Sequence, residues 1–239
     1  MSVRTAVGQL LMACVGSLAA AICGADAAAT SPATANTAVA RPTTASLNTA
    51  DPAAASPTST PDYGFCTVCH GTQGNGNPGI RAPKIAGIEP WYLKRQLEHF
   101  RGQLRGTQPA DTSGMEMQPV AMQLDDKAID AVALYVGTFT PKAPPKTVSG
   151  DVKHGRQLYT SCAACHGPKG EGNSALHAPA LAGQTDWYLV TELQDFQAGL
   201  RGLSPQDDSG TQMRAAASAL PDEPAIKDVV AYINTLPRR

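Results

Sequence analysis

The pattern Cys-x-x-Cys-His occurs twice in the chain, as Cys66–His70 and again as Cys162–His166. Cysteines at this spacing lie one helical turn apart, so their thiols can bond to the two vinyl groups of one haem while the adjacent imidazole meets the iron. The sequence therefore predicts two covalently bound c-type haems. The expected attachments are Cys66, Cys69, Cys162 and Cys165, and the expected iron-ligating imidazoles are His70 and His166.

Two other kinds of site use a Cys-x-x-Cys pair, namely half of a zinc site and a thioredoxin-like redox dithiol. Zinc would require a second pair of ligands at each site. A redox dithiol would not require a histidine directly after the second cysteine in both copies. We therefore favour the haem interpretation over both.

The two motifs belong to an internal repeat with an offset of 96 residues, which indicates two copies of one domain. Outside the motifs, the same offset aligns identical residues along both halves. The pairs include Pro83 and Pro179, Gly87 and Gly183, Trp91-Tyr92 and Trp187-Tyr188, Phe100 and Phe196, Arg105-Gly106 and Arg201-Gly202, Asp111 and Asp207, and Met117 and Met213.

The repeat also selects a second iron ligand in each domain. The first half offers three thioethers, at Met115, Met117 and Met122, but only Met117 has a methionine as its counterpart, Met213. We therefore predict Met117 and Met213 as axial ligands. A methionine is more often core filler or an exposed apolar residue, which is the interpretation we keep for Met115 and Met122.

Apolar residues at helical spacing predict a helix over 91–104 and its repeat over 187–200. Acidic residues near Asp125 and Asp222 favour the start of a closing helix in each half. In the second half, Gly155 and Tyr159 are expected on the face of a first helix that the closing helix crosses closely.

Both halves resemble class I cytochromes c, and their tandem arrangement resembles the two-haem cytochrome c(4) type of bacterial periplasms. The resemblance covers roughly residues 61 to 237 and depends on the motifs, the Pro-x-x-Ala-Gly segments, the Trp-Tyr pairs, the Arg-Gly pairs, the methionine and a closing helix with a tyrosine. It implies an all-α fold in which each domain is a few helices wrapped around one haem. The domains are expected at 61–141 and 151–239, with a linker at 142–150.

The resemblance also implies a second contact for each ligand histidine. In the family, the carbonyl oxygens at the positions of Pro83 and Pro179 accept the imidazole proton and orient the ring. Arg105 and Arg201 are candidates for neutralising haem propionates, with a solvated surface position as the alternative.

The N-terminal residues predict export. Residues 1–27 combine Arg4, a short apolar run and a small-x-small sequence at Ala25–Ala27, as in a cleaved signal peptide. Lipidation at Cys14 is an alternative. Residues 28–60 are almost entirely Ala, Thr, Ser and Pro, which predicts a disordered spacer that would serve as a solubilising tail or as a tether to the membrane.

The formal net charge of −1 argues against nucleic acid or an anionic membrane surface as a partner. Locally, Lys94, Arg95 and Arg101 have the uncharged counterparts Val190, Thr191 and Gln197. This basic helix is either a solvated face or a surface that orients the molecule on its partners.

We predict a periplasmic, monomeric one-electron carrier, because His/Met ligation closes both axial positions of each iron. The family implies respiratory complexes as partners, such as a quinol-oxidising complex and a terminal oxidase. The alternatives are the haem subunit of a periplasmic dehydrogenase, or a dihaem enzyme with a labile methionine, which would need an open iron site and acid/base residues beside it. A haem-based sensor would need an output module, for which no residues remain.

Overall fold

The computed structural model describes residues 63–238. The predicted signal over 1–27, with Cys14, and the predicted spacer over 28–60 lie outside these residues and remain predictions. Within 63–238 there are eight α-helices and no β-strand, so the all-α prediction is confirmed. None of the helices in this range combines the length and the apolar character that crossing a membrane requires.

The helices follow the 96-residue repeat, four to each half. The first half contains α1 (Tyr63–His70), α2 (Pro90–Arg101), α3 (Thr112–Ala121) and α4 (Asp126–Gly137). The second half contains α5 (Val152–His166), α6 (Asp186–Gln197), α7 (Asp208–Ala217) and α8 (Glu223–Ile233). Each cysteine motif therefore ends the first helix of its half.

Each half has its own apolar core, to which both the first and the last helix contribute. In the first, Ile129 and Val136 of α4 are fully buried, and the rings of Tyr63 and Tyr135 pack edge to face with centroids 5.4 Å apart. In the second, the rings of Tyr159 and Tyr232 also pack together, in a tilted arrangement with centroids 5.3 Å apart. The tyrosine of each closing helix therefore lies beside the first helix of its half.

The crossing of α5 and α8 depends on Gly155. A Cβ atom at this position would overlap the backbone carbonyl of Asp228, so only glycine lets the two helices approach this closely. The close crossing predicted from the sequence is confirmed.

The two central helices are shorter than predicted, because α2 ends at Arg101 rather than 104 and α6 at Gln197 rather than 200. Beyond each end, the chain enters the left-handed region at equivalent positions, Gln103 (φ 59°) and Gly199 (φ 71°). A left-handed residue stops the helical hydrogen-bond pattern. The apolar spacing continues through this turn, which is why the sequence pattern overestimated the helices.

The closing helices begin as predicted. The side chain of Asp125 accepts a hydrogen bond from the N–H of Ala128 at 2.8 Å, and Asp222 accepts from Ala225 at 2.9 Å. Both acids therefore act as N-caps and satisfy an amide that the helix itself leaves unbonded.

Candidate haem sites and the domain interface

The two motif histidines are held in the same way. His70 donates a hydrogen bond from Nδ1 to the carbonyl oxygen of Pro83 at 2.8 Å, and His166 donates from Nδ1 to Pro179 at the same distance. A ring with its proton on Nδ1 has its lone pair on Nε2, which is then free to bind iron. The histidine–proline hydrogen bonds implied by the family resemblance are confirmed.

Both imidazoles are buried, with 6% of His70 and 7% of His166 exposed. Burial lowers the pKa of each ring below its usual value, and the hydrogen bond to the proline carbonyl opposes this only in part. Each ring is therefore neutral near pH 7, which is the form that binds a metal ion.

A glycine-rich loop after each histidine secures the proline segment. The carbonyl oxygen of His70 accepts a hydrogen bond from Gly76 at 2.9 Å, and that of His166 accepts one from Gly172 at 2.8 Å. Both glycines have positive φ, and a Cβ atom at either would overlap the backbone of the proline segment. These glycines therefore let two stretches of backbone meet beside the ligand histidine.

A cavity of about 610 Å³, which lies mainly in the second half and extends to residues of the first, brings together the residues predicted for the second haem. Cys162, Cys165, His166 and Met213 all line it, from α5 and α7. The volume lies within the range of roughly 300–1,000 Å³ that is usual for cofactor sites. Apolar side chains form much of the remaining lining, including Leu158, Leu181, Leu189, Leu193, Phe196, Leu220, Val229 and Ile233.

In the first half, the equivalent residues lie at the edge of the core. Cys66 and Met117 are partly buried and pack against the apolar cluster of that half. Cys69 is exposed, as is its equivalent Cys165. Each motif therefore places one cysteine against its core and the other at the surface.

The methionines differ in exposure in the way that the repeat predicts. Met115 and Met122 are 45% and 52% exposed, whereas Met117 contacts the core and Met213 lines the cavity. Exposed thioethers are poorly placed for a buried iron. The geometry therefore supports Met117 and Met213 as the candidate ligands.

These surroundings suit a covalently bound haem better than the other uses of Cys-x-x-Cys. Within residues 63–238, no set of three or more His, Cys, Asp and Glu side chains is arranged to bind a metal ion, so the second ligand pair that zinc needs is not found there. The cysteines of neither motif form a disulfide. Two thiols, a neutral imidazole and a thioether around an apolar space match the requirements of haem c.

Arg105 and Arg201 are buried between the two halves, with 8% and 6% of their surface exposed. Arg105 donates to Gln96 Oε1 at 2.7 Å and to Glu192 Oε1 at 2.5 Å. Arg201 donates to the same Gln96 oxygen at 2.9 Å and forms an ion pair with Glu192. The alternative of a solvated surface position for these arginines is therefore wrong.

The proline loops of the two halves also contact each other. Lys84, which is 5% exposed, donates to the carbonyl oxygens of Gly183 and, at 3.4 Å, of Lys142. The side chain of Gln184 donates to the Lys84 carbonyl oxygen at 3.2 Å. Burial lowers the pKa of the Lys84 ammonium. Sequence reasoning missed this lysine because its counterpart in the repeat is Ala180.

The basic residues of α2 form ion pairs instead of an open positive face. The pairs are Lys94 with Asp130 at 2.5 Å, Arg101 with Asp126 at 2.5 Å, and Arg95 with Asp207 of the second half at 3.7 Å. A carboxylate therefore lies beside each of the three charges, and the role of this helix in orienting the molecule on its partners stays a prediction.

A model of the family described as "Cytochrome c" matches the chain twice, over residues 63–140 and 152–237. The chain is 34% identical over 183 residues to cytochrome c4 from Thiocapsa roseopersicina, an alignment that covers 72% of this chain and 88% of that relative. It is also 34% identical over 163 residues to a thiosulfate dehydrogenase electron acceptor from Stutzerimonas stutzeri, covering 63% of this chain and 71% of that protein.

Among solved structures, the chain is similar to reduced recombinant cytochrome c4 from Pseudomonas stutzeri. The TM-score is 0.59 and the sequence identity 27%, over 74% of this chain and 96% of that one. The structural similarity therefore includes both halves of the chain, in the same order.

Proposed function

Because this chain belongs to the cytochrome c family and binds two covalent haem c groups, we propose that it carries single electrons between respiratory complexes in the periplasm. Electron transfer is the function of its cytochrome relatives. The respiratory partners, such as a quinol-oxidising complex and a terminal oxidase, and the periplasmic location are the parts that we propose. The predicted signal peptide over 1–27 supports the location.

The observation that carries this proposal is that each half holds a buried, neutral histidine and a methionine that faces inward, Met117 against the apolar core and Met213 into the cavity. We propose His70 with Met117 and His166 with Met213 as the axial ligands, and Cys66, Cys69, Cys162 and Cys165 as the covalent attachments. Two protein ligands leave an iron no position for a substrate. Haem c supplies an iron that exchanges one electron in such a site.

The protein's own contribution is to hold the site rigid and dry. The proline carbonyls fix the orientation of both imidazoles, and the apolar cores exclude water. A rigid site changes little on reduction, which favours fast electron exchange. The buried network of Arg105, Arg201, Gln96 and Glu192 joins the halves, so an electron can pass between domains held in a fixed relation.

Carbon monoxide tests the closed axial positions. The reduced protein, carrying two haems per chain, is expected to give the same optical spectrum before and after carbon monoxide is added. A carbon monoxide adduct at either haem would contradict the carrier and favour an enzyme with a labile methionine.

The similarity to a thiosulfate dehydrogenase electron acceptor supports a second candidate, in which a periplasmic dehydrogenase is the electron donor. The two candidates differ in what reduces the protein. Reduction by thiosulfate in the presence of a thiosulfate dehydrogenase, at a rate well above that with a quinol-oxidising complex, would favour the second. The opposite order of rates would favour the respiratory carrier.

A further inference from the structure

A carboxylate of the first half reaches the haem site of the second. Glu89 directly precedes α2, and it lines the cavity that contains Cys162, His166 and Met213. The backbone N–H of Ala180 donates to both of its carboxylate oxygens, each at 3.3 Å. Glu89 therefore acts across the boundary between the two halves.

The amide that binds Glu89 is the one that holds His166. The N–H of Ala180 and the carbonyl of Pro179 belong to one peptide group, and that carbonyl oxygen accepts the hydrogen bond from His166 Nδ1 at 2.8 Å. A carboxylate that accepts a hydrogen bond from an amide N–H polarises the amide group further. This polarisation adds negative charge to the carbonyl oxygen of the amide. The peptide thus transmits the charge of Glu89 to the imidazole.

A more negative acceptor strengthens the hydrogen bond at Nδ1 and makes the imidazole a stronger electron donor at Nε2. Stronger donation favours the ferric over the ferrous state of a bound iron. We propose that Glu89 is a positioning residue of the second haem site, which lowers the reduction potential of that haem through the Pro179–Ala180 peptide. This inference rests on the proposed ligation by His166 and on no particular electron donor or acceptor.

The repeat confines the effect to one haem. The counterpart of Glu89 is Thr185, which has no carboxylate to offer the peptide of Pro83 and Lys84. The histidine–proline bond itself has the same length in both halves. Glu89 therefore supplies a difference between two haems that the duplicated residues leave equivalent.

Glu89→Gln tests the proposal, because it keeps the shape and one acceptor oxygen but removes the charge. We expect about a tenfold shift of the second haem toward the ferrous state at a given potential, which is about 59 mV for one electron, and no shift at the first. Glu89→Ala should shift the second haem at least as far. Glu98→Gln is the matched control, since it removes a nearby carboxylate, within α2 itself, that pairs with Lys94 instead.

The measurement is a redox titration followed by NMR, in which the paramagnetically shifted haem methyl signals report each haem separately. An equal change at both haems, or a shift in Glu89→Gln no larger than in Glu98→Gln, would overturn the proposal. The NMR signal of the His166 ring N–H distinguishes a failure of the proposed ligation from a failure of the Glu89 inference alone. If it shows no paramagnetic shift in the ferric wild type, the ligand assignment fails and this inference fails with it; if it is shifted but unchanged in Glu89→Gln, only this inference fails.

Discussion

Glu192 occupies the position in the second half that Gln96 occupies in the first, and both side chains bind the same two buried guanidinium groups, those of Arg105 and Arg201. Each arginine also lies over a phenylalanine ring, at 4.7 Å from the centroid for Phe100 and 4.4 Å for Phe196. This network thus contains two cations at equivalent positions of the repeat and one anion whose equivalent is uncharged.

We expect Glu192→Gln to destabilise the docked pair of halves by about 3 kcal/mol, because it leaves two buried guanidinium groups without a counter-charge. Urea unfolding of the haem-loaded protein would measure the loss. The double variant Gln96→Glu with Glu192→Gln moves the carboxylate to the other half and should recover most of it. A double variant as unstable as Glu192→Gln would show that the carboxylate is specific to the second half.

Replacing the proposed methionine ligands should open one iron at a time. Met117→Ala and Met213→Ala are each expected to produce a carbon monoxide adduct at one of the two haems of the reduced protein. Met122→Ala is the control, since this side chain is 52% exposed, and it should leave the spectrum unchanged. An adduct in Met122→Ala but not in Met117→Ala would reassign the ligand of the first haem.

Gly155→Ala is expected to lower the free energy of unfolding by about 1–3 kcal/mol, because the added methyl group would overlap the Asp228 carbonyl where α5 crosses α8. Gly64→Ala in α1 is the control. Its Cβ would have no atom within 4 Å, and alanine favours a helix over glycine, so stability should rise slightly. Equal effects of the two substitutions in thermal unfolding would argue against a tight crossing.

The interface also predicts a pH dependence through Asp195. Burial, reinforced by the nearby Asp111 carboxylate, raises the pKa of Asp195 from 3.8 to about 6. An acid whose pKa is raised on folding holds its proton more tightly in the folded state, so its contribution to stability falls as the pH rises from about 4 to about 6. Asp195→Asn should remove this decline. Urea unfolding at pH 4, 5, 6 and 7 would measure it, and identical slopes for variant and wild type would contradict the prediction.

Much of the site could be predicted from the sequence because haem chemistry leaves local patterns. The motif predicts the cysteines and histidines, and the repeat selects Met117 and Met213, which the structure places away from the exposed Met115 and Met122. The family resemblance supplied the bond between each histidine and its proline. All of these are properties that both halves share.

The interface could not be predicted, because it depends on residues in which the halves differ. Comparing the repeats directs attention to conserved pairs, so Gln96 with Glu192 and Lys84 with Ala180 were passed over. Arg105 and Arg201 stand out in the repeat, but the sequence around an arginine does not indicate which residues of another domain will pack over it. The ends of the two central helices were not predicted because the apolar spacing continues through the left-handed turns at Gln103 and Gly199.

The contact between the proline loops has a consequence for how this duplication has evolved. Lys84 and Gln184 bind across the boundary, but their counterparts are Ala180 and Ile88, which could not make the same hydrogen bonds in the opposite sense. The two copies have therefore ceased to be interchangeable parts. A chain built from two first halves, or from two second halves, would keep every haem motif and still lack the matching residues at the boundary between them.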